Sequence, residues 1–64
     1  MGKYETEYYI IREYLVYEGP MYAIKWLSSG SISMGYISKD EARRAADRIV
    51  QRCLDNPGQD ARNL

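Results

Sequence analysis

Histidine is missing from the 64 residues altogether, and cysteine occurs once. Without histidine the chain lacks the commonest general base near neutral pH. The usual Cys and His zinc sets cannot be assembled from it either. Cys53 has no partner for an intrachain disulfide, so an oxidising compartment brings no visible benefit. No metal and no cofactor are therefore expected. Apolar runs stay far short of the roughly 18 residues of a membrane span, and the start carries no signal-peptide pattern. A soluble, cytoplasmic protein without membrane association is the expectation. A chain this short buries only about 60% of the surface its unfolded form exposes. Small domains commonly lean on disulfides, a metal or a partner subunit; with the first two removed, a homodimer is expected.

Charge of one sign is also lacking, because nine basic and nine acidic residues cancel. This argues against a general polyanion binder. The balance is uneven along the chain. Residues 3–18 set Lys3 and Arg12 against Glu5, Glu7, Glu13 and Glu18, a local charge of −2. Residues 39–52 set Lys39, Arg43, Arg44, Arg48 and Arg52 against Asp40, Glu41 and Asp47, a local charge of +2.

What is present begins with a helix over residues 38–54. Ala42, Ala45, Ala46, Ile49, Val50, Cys53 and Leu54 recur at the helical period. Ser38 and Glu41 have capping-box spacing, and Ile37 with Ala42 matches a hydrophobic staple. Asn56-Pro57-Gly58 then stops the helix. The alanines let this helix sit close to whatever lies beneath it.

Strands are expected beneath. Tyr22, Ile24 and Trp26 alternate with Ala23 and Lys25; after the Ser28-Ser29-Gly30 turn, Ile32, Met34 and Tyr36 alternate with Ser31, Ser33 and Gly35. The larger apolar set of this last strand is expected to face the helix. Residues 4–17 are harder to place. Tyr4, Tyr8, Ile11 and Leu15 suit a helix by spacing, whereas the density of Tyr, Ile and Val suits a strand. A long, imperfectly alternating first strand is chosen, turning at Glu18-Gly19-Pro20. The expected fold is α+β: a three-stranded antiparallel meander with one C-terminal helix packed on one face (βββα). Residues 1–54 form the domain, and 55–64 form a flexible polar tail.

Catalysis finds little support in this pattern. Cys53 lies on the apolar helix stripe, where a thiol is ordinarily an inert core residue. Glu5 and Glu7 would share one strand face as paired carboxylates do in some hydrolases, but a charged edge strand explains them more simply. Gly19, Gly30 and Gly35 are too scattered for a phosphate-cradling loop. No enzymatic activity is expected.

The aromatic set is more telling: seven tyrosines and one tryptophan, with phenylalanine absent. Tyrosine can pack its ring while its hydroxyl stays wet. One helix covers only one face of a sheet, and Tyr4, Tyr8, Tyr9, Tyr14 and Tyr17 cannot all point inward. Some of them would simply be half-buried strand residues. The sharper expectation is a protein-binding face carrying Tyr8, Tyr14 and Tyr17, as on a small regulator or inhibitor. The basic helix positions are the other candidate. Their polar face is expected to be largely self-neutralised by pairs such as Arg44 with Asp40, Glu41 or Asp47.

The run Ser38-Lys39-Asp40-Glu41-Ala42-Arg43-Arg44-Ala45-Ala46 resembles the start of the last helix in double-stranded-RNA-binding domains. There it follows a three-stranded sheet, and its basic residues hold phosphates across the major groove. The resemblance implies Lys39 and Arg43 as phosphate contacts, and a nucleic-acid-binding alternative would use Lys39, Arg43, Arg44 and Arg48. Asp40 stands where those domains carry a central lysine. Gly35-Tyr36-Ile37-Ser38 followed by Glu41-Ala42 is similar also to AP2-type and integrase arm-binding domains, which are βββα and read DNA with basic sheet residues. The strands here offer Arg12 and Lys25 among four glutamates.

Overall fold

A computed structural model describes residues 2–56. Strands β1 (Tyr9–Val16), β2 (Gly19–Trp26) and β3 (Ile32–Tyr36) precede helix α1 (Lys39–Asp55). The strands form one antiparallel sheet in the order β1-β2-β3, so the βββα architecture expected from the sequence is present. The tail expected over 55–64 begins inside α1, and residues 57–64 lie outside the described residues.

Cross-strand partners share a face of the sheet. On one face Tyr9 pairs with Trp26, Ile11 with Ile24, and Glu13 with Tyr22. Here α1 packs, and Tyr9, Ile24, Trp26, Ala42, Ala46 and Val50 form the core. The Tyr9 and Trp26 rings meet edge to face at 5.8 Å, an arrangement that suits the ring quadrupoles. Ala42 and Ala46 are fully buried, which lets the helix backbone approach rings of that size. Leu15 belongs to this face yet is 81% exposed; the helix cover ends before the hairpin tip.

The capping of α1 follows the sequence closely. Ser38 Oγ accepts the Glu41 N–H at 3.1 Å, and Glu41 reaches back to the N–H of Ile37 at 3.4 Å, one residue earlier than a standard capping box. The expected staple does not form, because Ala42 is buried while Ile37 is 72% exposed. Cys53 lies buried on the helix stripe.

Two expectations are corrected. First, the initial strand starts at Tyr9, not at Tyr4. Residues 2–8 coil into successive turns: Tyr8 N–H donates to the Tyr4 carbonyl at 3.0 Å and Thr6 N–H to the Tyr9 carbonyl at 2.7 Å. Thr6 takes a φ of 71°, which a strand residue does not adopt. Glu5 and Glu7 therefore do not line a strand face. Second, Ile32 and Met34 do not face the helix. Ser33 pairs with Ile24 and Tyr36 with Tyr22, so β3 carries one more residue than β2 between these pairs. This bulge, with Gly35 at φ 101°, puts Tyr36 on the helix side while Ile32 and Met34 remain on the other.

Candidate functional site

The face away from the helix is built by the complementary rows. Ile10, Lys25 and Ile32 form one row, Arg12 and Ala23 the next, and Tyr14 and Met21 the third; Met34 joins through the two-residue strand period. Ala23 is only 3% exposed although no element among the described residues covers this face. It forms the floor of a depression of about 290 Å³ lined also by Arg12, Glu13, Tyr14, Lys25, Ile32 and Met34. Tyr14 spans the sheet: its hydroxyl accepts the Gly35 N–H at 3.1 Å. This bond reaches from β1 to the bulge of β3 and occupies an amide that the bulge removes from the ladder. Ile32 and Met34 remain 58% and 63% exposed.

Tyr8, Tyr14 and Tyr17 are not brought together. Tyr8 packs against the core beside Tyr4, ring to ring at 5.7 Å. Tyr17 stands fully exposed in the β1–β2 turn. Only Tyr14 lies on the open face. Tyr4, Tyr8, Tyr9, Tyr22 and Tyr36 all pack in or against the core, and the hydroxyls of Tyr4, Tyr9 and Tyr22 have hydrogen-bond partners there. The prominent residues of the open face are instead Ile32, Met34, Arg12 and Lys25, around Ala23. The sequence signal for them was Gly35, which marks where the alternation of β3 breaks.

The basic helix positions also separate. Arg43 Nε donates to Glu5 at 2.6 Å and its Nη1 lies 3.9 Å from Asp40, so the side chain is bound to the N-terminal turns. Arg44 and Arg48 line a shallow groove with Tyr36, Ser38, Glu41 and Ala45. Lys39 is exposed in the first helical turn. Among the described residues Lys39, Arg44, Arg48 and Arg52 form no ion pair. The expected self-neutralisation fails in part because Asp47 turns away from the arginines. Its carboxylate accepts the Lys3 and Tyr4 N–H groups at 2.8 and 3.0 Å and the Tyr9 hydroxyl at 2.7 Å.

This N-terminal network is electrostatically settled. Burial pushes the Asp47 pKa up, but the Tyr9 hydroxyl and the two N–H groups together outweigh it and leave the pKa below its ordinary value. The Gly2 N–H and the Arg43 guanidinium hold Glu5 low despite partial burial. Burial, with Asp47 as hydrogen-bond partner, raises Tyr9. Gly2 has no room for a Cβ, which would collide with the Tyr9 hydroxyl. Tyr4 hydrogen-bonds Gln51 further along α1. All of these groups serve the fold.

Among the described residues no group of three or more His, Cys, Asp or Glu side chains is placed to hold a metal ion. No helix among them is long and apolar enough to cross a membrane. The chain matches no known protein family, no curated protein and no solved structure. What the molecule does must therefore be argued from its own two surfaces.

Proposed function

We propose that the protein is a non-enzymatic binding module, of the kind used by small regulators and inhibitors, that receives a protein partner on its open sheet face. The carrying observation is Ile32 and Met34, 58% and 63% exposed beside the Ala23 depression. Clustered apolar side chains on an uncovered face mark interaction surfaces. The face differs from the tyrosine-centred one expected from sequence: its apolar material is mainly aliphatic, with Tyr14 as its aromatic member. Self-association, expected from the chain length, would use the exposed edges of β1 or β3. A photocrosslinking side chain placed at Met34 should give a saturable adduct with a protein partner, whereas one at Arg52 should give none. Equal adducts from both positions, or an adduct only from position 52, would overturn the assignment.

One observation favours a second reading. Arg44 and Arg48 lack carboxylate partners among the described residues and share a groove with Tyr36. Together with Lys39 they would form the nucleic-acid contact implied by the resemblance to double-stranded-RNA-binding domains; Arg43, held by Glu5, would contribute least. Among the described residues the first helix of that family has no counterpart, since Tyr9–Val16 is a strand. Duplex affinity that falls steeply with salt would support this reading through counterion release. No binding at low salt would remove it.

A further inference from the structure

From the charge distribution on the open face we infer that the partner is an acidic segment with an apolar anchor, an extension that rests on the protein-binding reading above. The strand rows place Arg12 and Lys25 on this face, and among the described residues the one carboxylate that borders the depression, Glu13, belongs by register to the other side. Glu13 lies on the helix side, paired with Tyr22 and within 3.5 Å of its hydroxyl. Glu5 is bound to Arg43, Glu7 sits in the N-terminal turns, and Glu18 sits in the hairpin turn. Among the described residues neither Arg12 nor Lys25 is in an ion pair. Two cations thus flank an apolar depression with Ala23 at its base and Ile32 and Met34 along its wall.

That arrangement selects among occupants. A second copy docked face to face would bring Arg12 and Lys25 against their own equivalents, and like charges in juxtaposition oppose association. A duplex nucleic acid would meet two cations but leave Ile32, Met34 and Ile10 against phosphate and sugar, where apolar side chains gain little. A peptide that inserts one aliphatic or aromatic side chain over Ala23 and sets carboxylates toward Arg12 and Lys25 satisfies both halves of the surface. Tyr14, fixed by its bond to Gly35, gives the depression a rigid wall, so little side-chain entropy is lost when it fills.

The full chain, immobilised, would be used to select from a random peptide display library, in parallel with the double variant Arg12→Glu/Lys25→Glu. Wild type should enrich peptides with Asp or Glu within a few positions of Leu, Ile, Phe or Trp. The charge-reversed protein should bind those peptides at least about tenfold more weakly and enrich basic ones instead. Enrichment of neutral or basic peptides by wild type, or an unchanged acidic preference in the reversed variant, would overturn the inference. Met34→Glu and Met34→Ser separate this failure from failure of the face itself. If they abolish binding of non-acidic peptides, the face stands and the partner chemistry falls. If they leave the selected peptides bound, the face falls too. A 20-base-pair duplex binding in place of any peptide, or a dimer in sedimentation that Met34→Ser dissolves, would also overturn it. Thermal melting that matches wild type shows each variant folded.

Discussion

The N-terminal turns against α1 and the open face of the sheet are opposite in how they use charge. Around Asp47 the polar groups close on one another: two N–H groups and the Tyr9 hydroxyl converge on one carboxylate, and Arg43 takes Glu5. On the open face Arg12 and Lys25 stand beside exposed Ile32 and Met34, and among the described residues neither is in an ion pair. The first region spends its polar groups on holding the fold. The second leaves cationic groups without an ion pair among the described residues and apolar side chains exposed, and the apolar side chains carry a hydration cost that a partner would remove. On the proposed reading, folding and binding fall to different sides of one small sheet.

The largest effect should come from breaking the first region. Asp47→Ala removes the acceptor for three donors and leaves the buried Tyr9 hydroxyl without its partner. A loss of about 3 kcal/mol is expected, read as a lower urea midpoint, with hydrogen exchange at Lys3 and Tyr4 accelerated. Unchanged stability would mean the N-terminal turns are not docked.

The acid limb of stability sharpens the same point. Asp47 and Glu5 have lowered pKa values in the folded state. Their contribution is fully present above the unfolded carboxylate range and is lost as pH falls through the folded values. Stability should be flat near neutral pH and fall below about pH 4. Asp47→Asn, which cannot ionise, should flatten part of that fall in a urea series across pH.

Legibility from sequence divides along the same boundary. The helix, its Ser38 cap and the hairpin of β2 and β3 follow from local period and turn chemistry, so they could be read directly. The N-terminal turns could not, because what bends residues 2–8 is Asp47, some 44 residues away from Lys3; locally the same segment favours a strand. Nor could the open face. The register that sets Ser33 against Ile24 puts Ile32 and Met34 on the open side, and the bulge beside Gly35 switches only Tyr36 to the helix side. Five of the seven tyrosines pack in or against the core, and the partners of the Tyr4 and Tyr9 hydroxyls, Gln51 and Asp47, are too distant in sequence to be read locally. Arg12 and Lys25 were visible as the cations of the strands, but in the linear chain they are diluted by four glutamates. The fold takes Glu5, Glu7 and Glu18 away from them and leaves Glu13 at the border of the depression, paired by register on the other side.

A smaller effect tests the one polar bond that crosses the open face. Tyr14→Phe should cost about 1 kcal/mol or less and speed exchange of the Gly35 amide. Global unfolding in place of this local change would make Tyr14 part of the folding side. The smallest stability effect belongs to Ile32→Ser and Met34→Ser. Each should shift stability by no more than about 0.5 kcal/mol, because both side chains are already exposed. A loss several times larger would show that these residues serve the fold and would erase the contrast between the two sides.

The most direct measurement is an amide chemical-shift map of the isotope-labelled protein titrated with an acidic peptide carrying a single leucine anchor. Saturable shifts are expected to cluster at Arg12, Ala23, Lys25, Ile32, Met34 and Gly35, with Lys3, Tyr4 and Asp47 unmoved. Shifts centred on Arg44, Arg48 and Arg52, with the open face silent, would contradict the proposed reading.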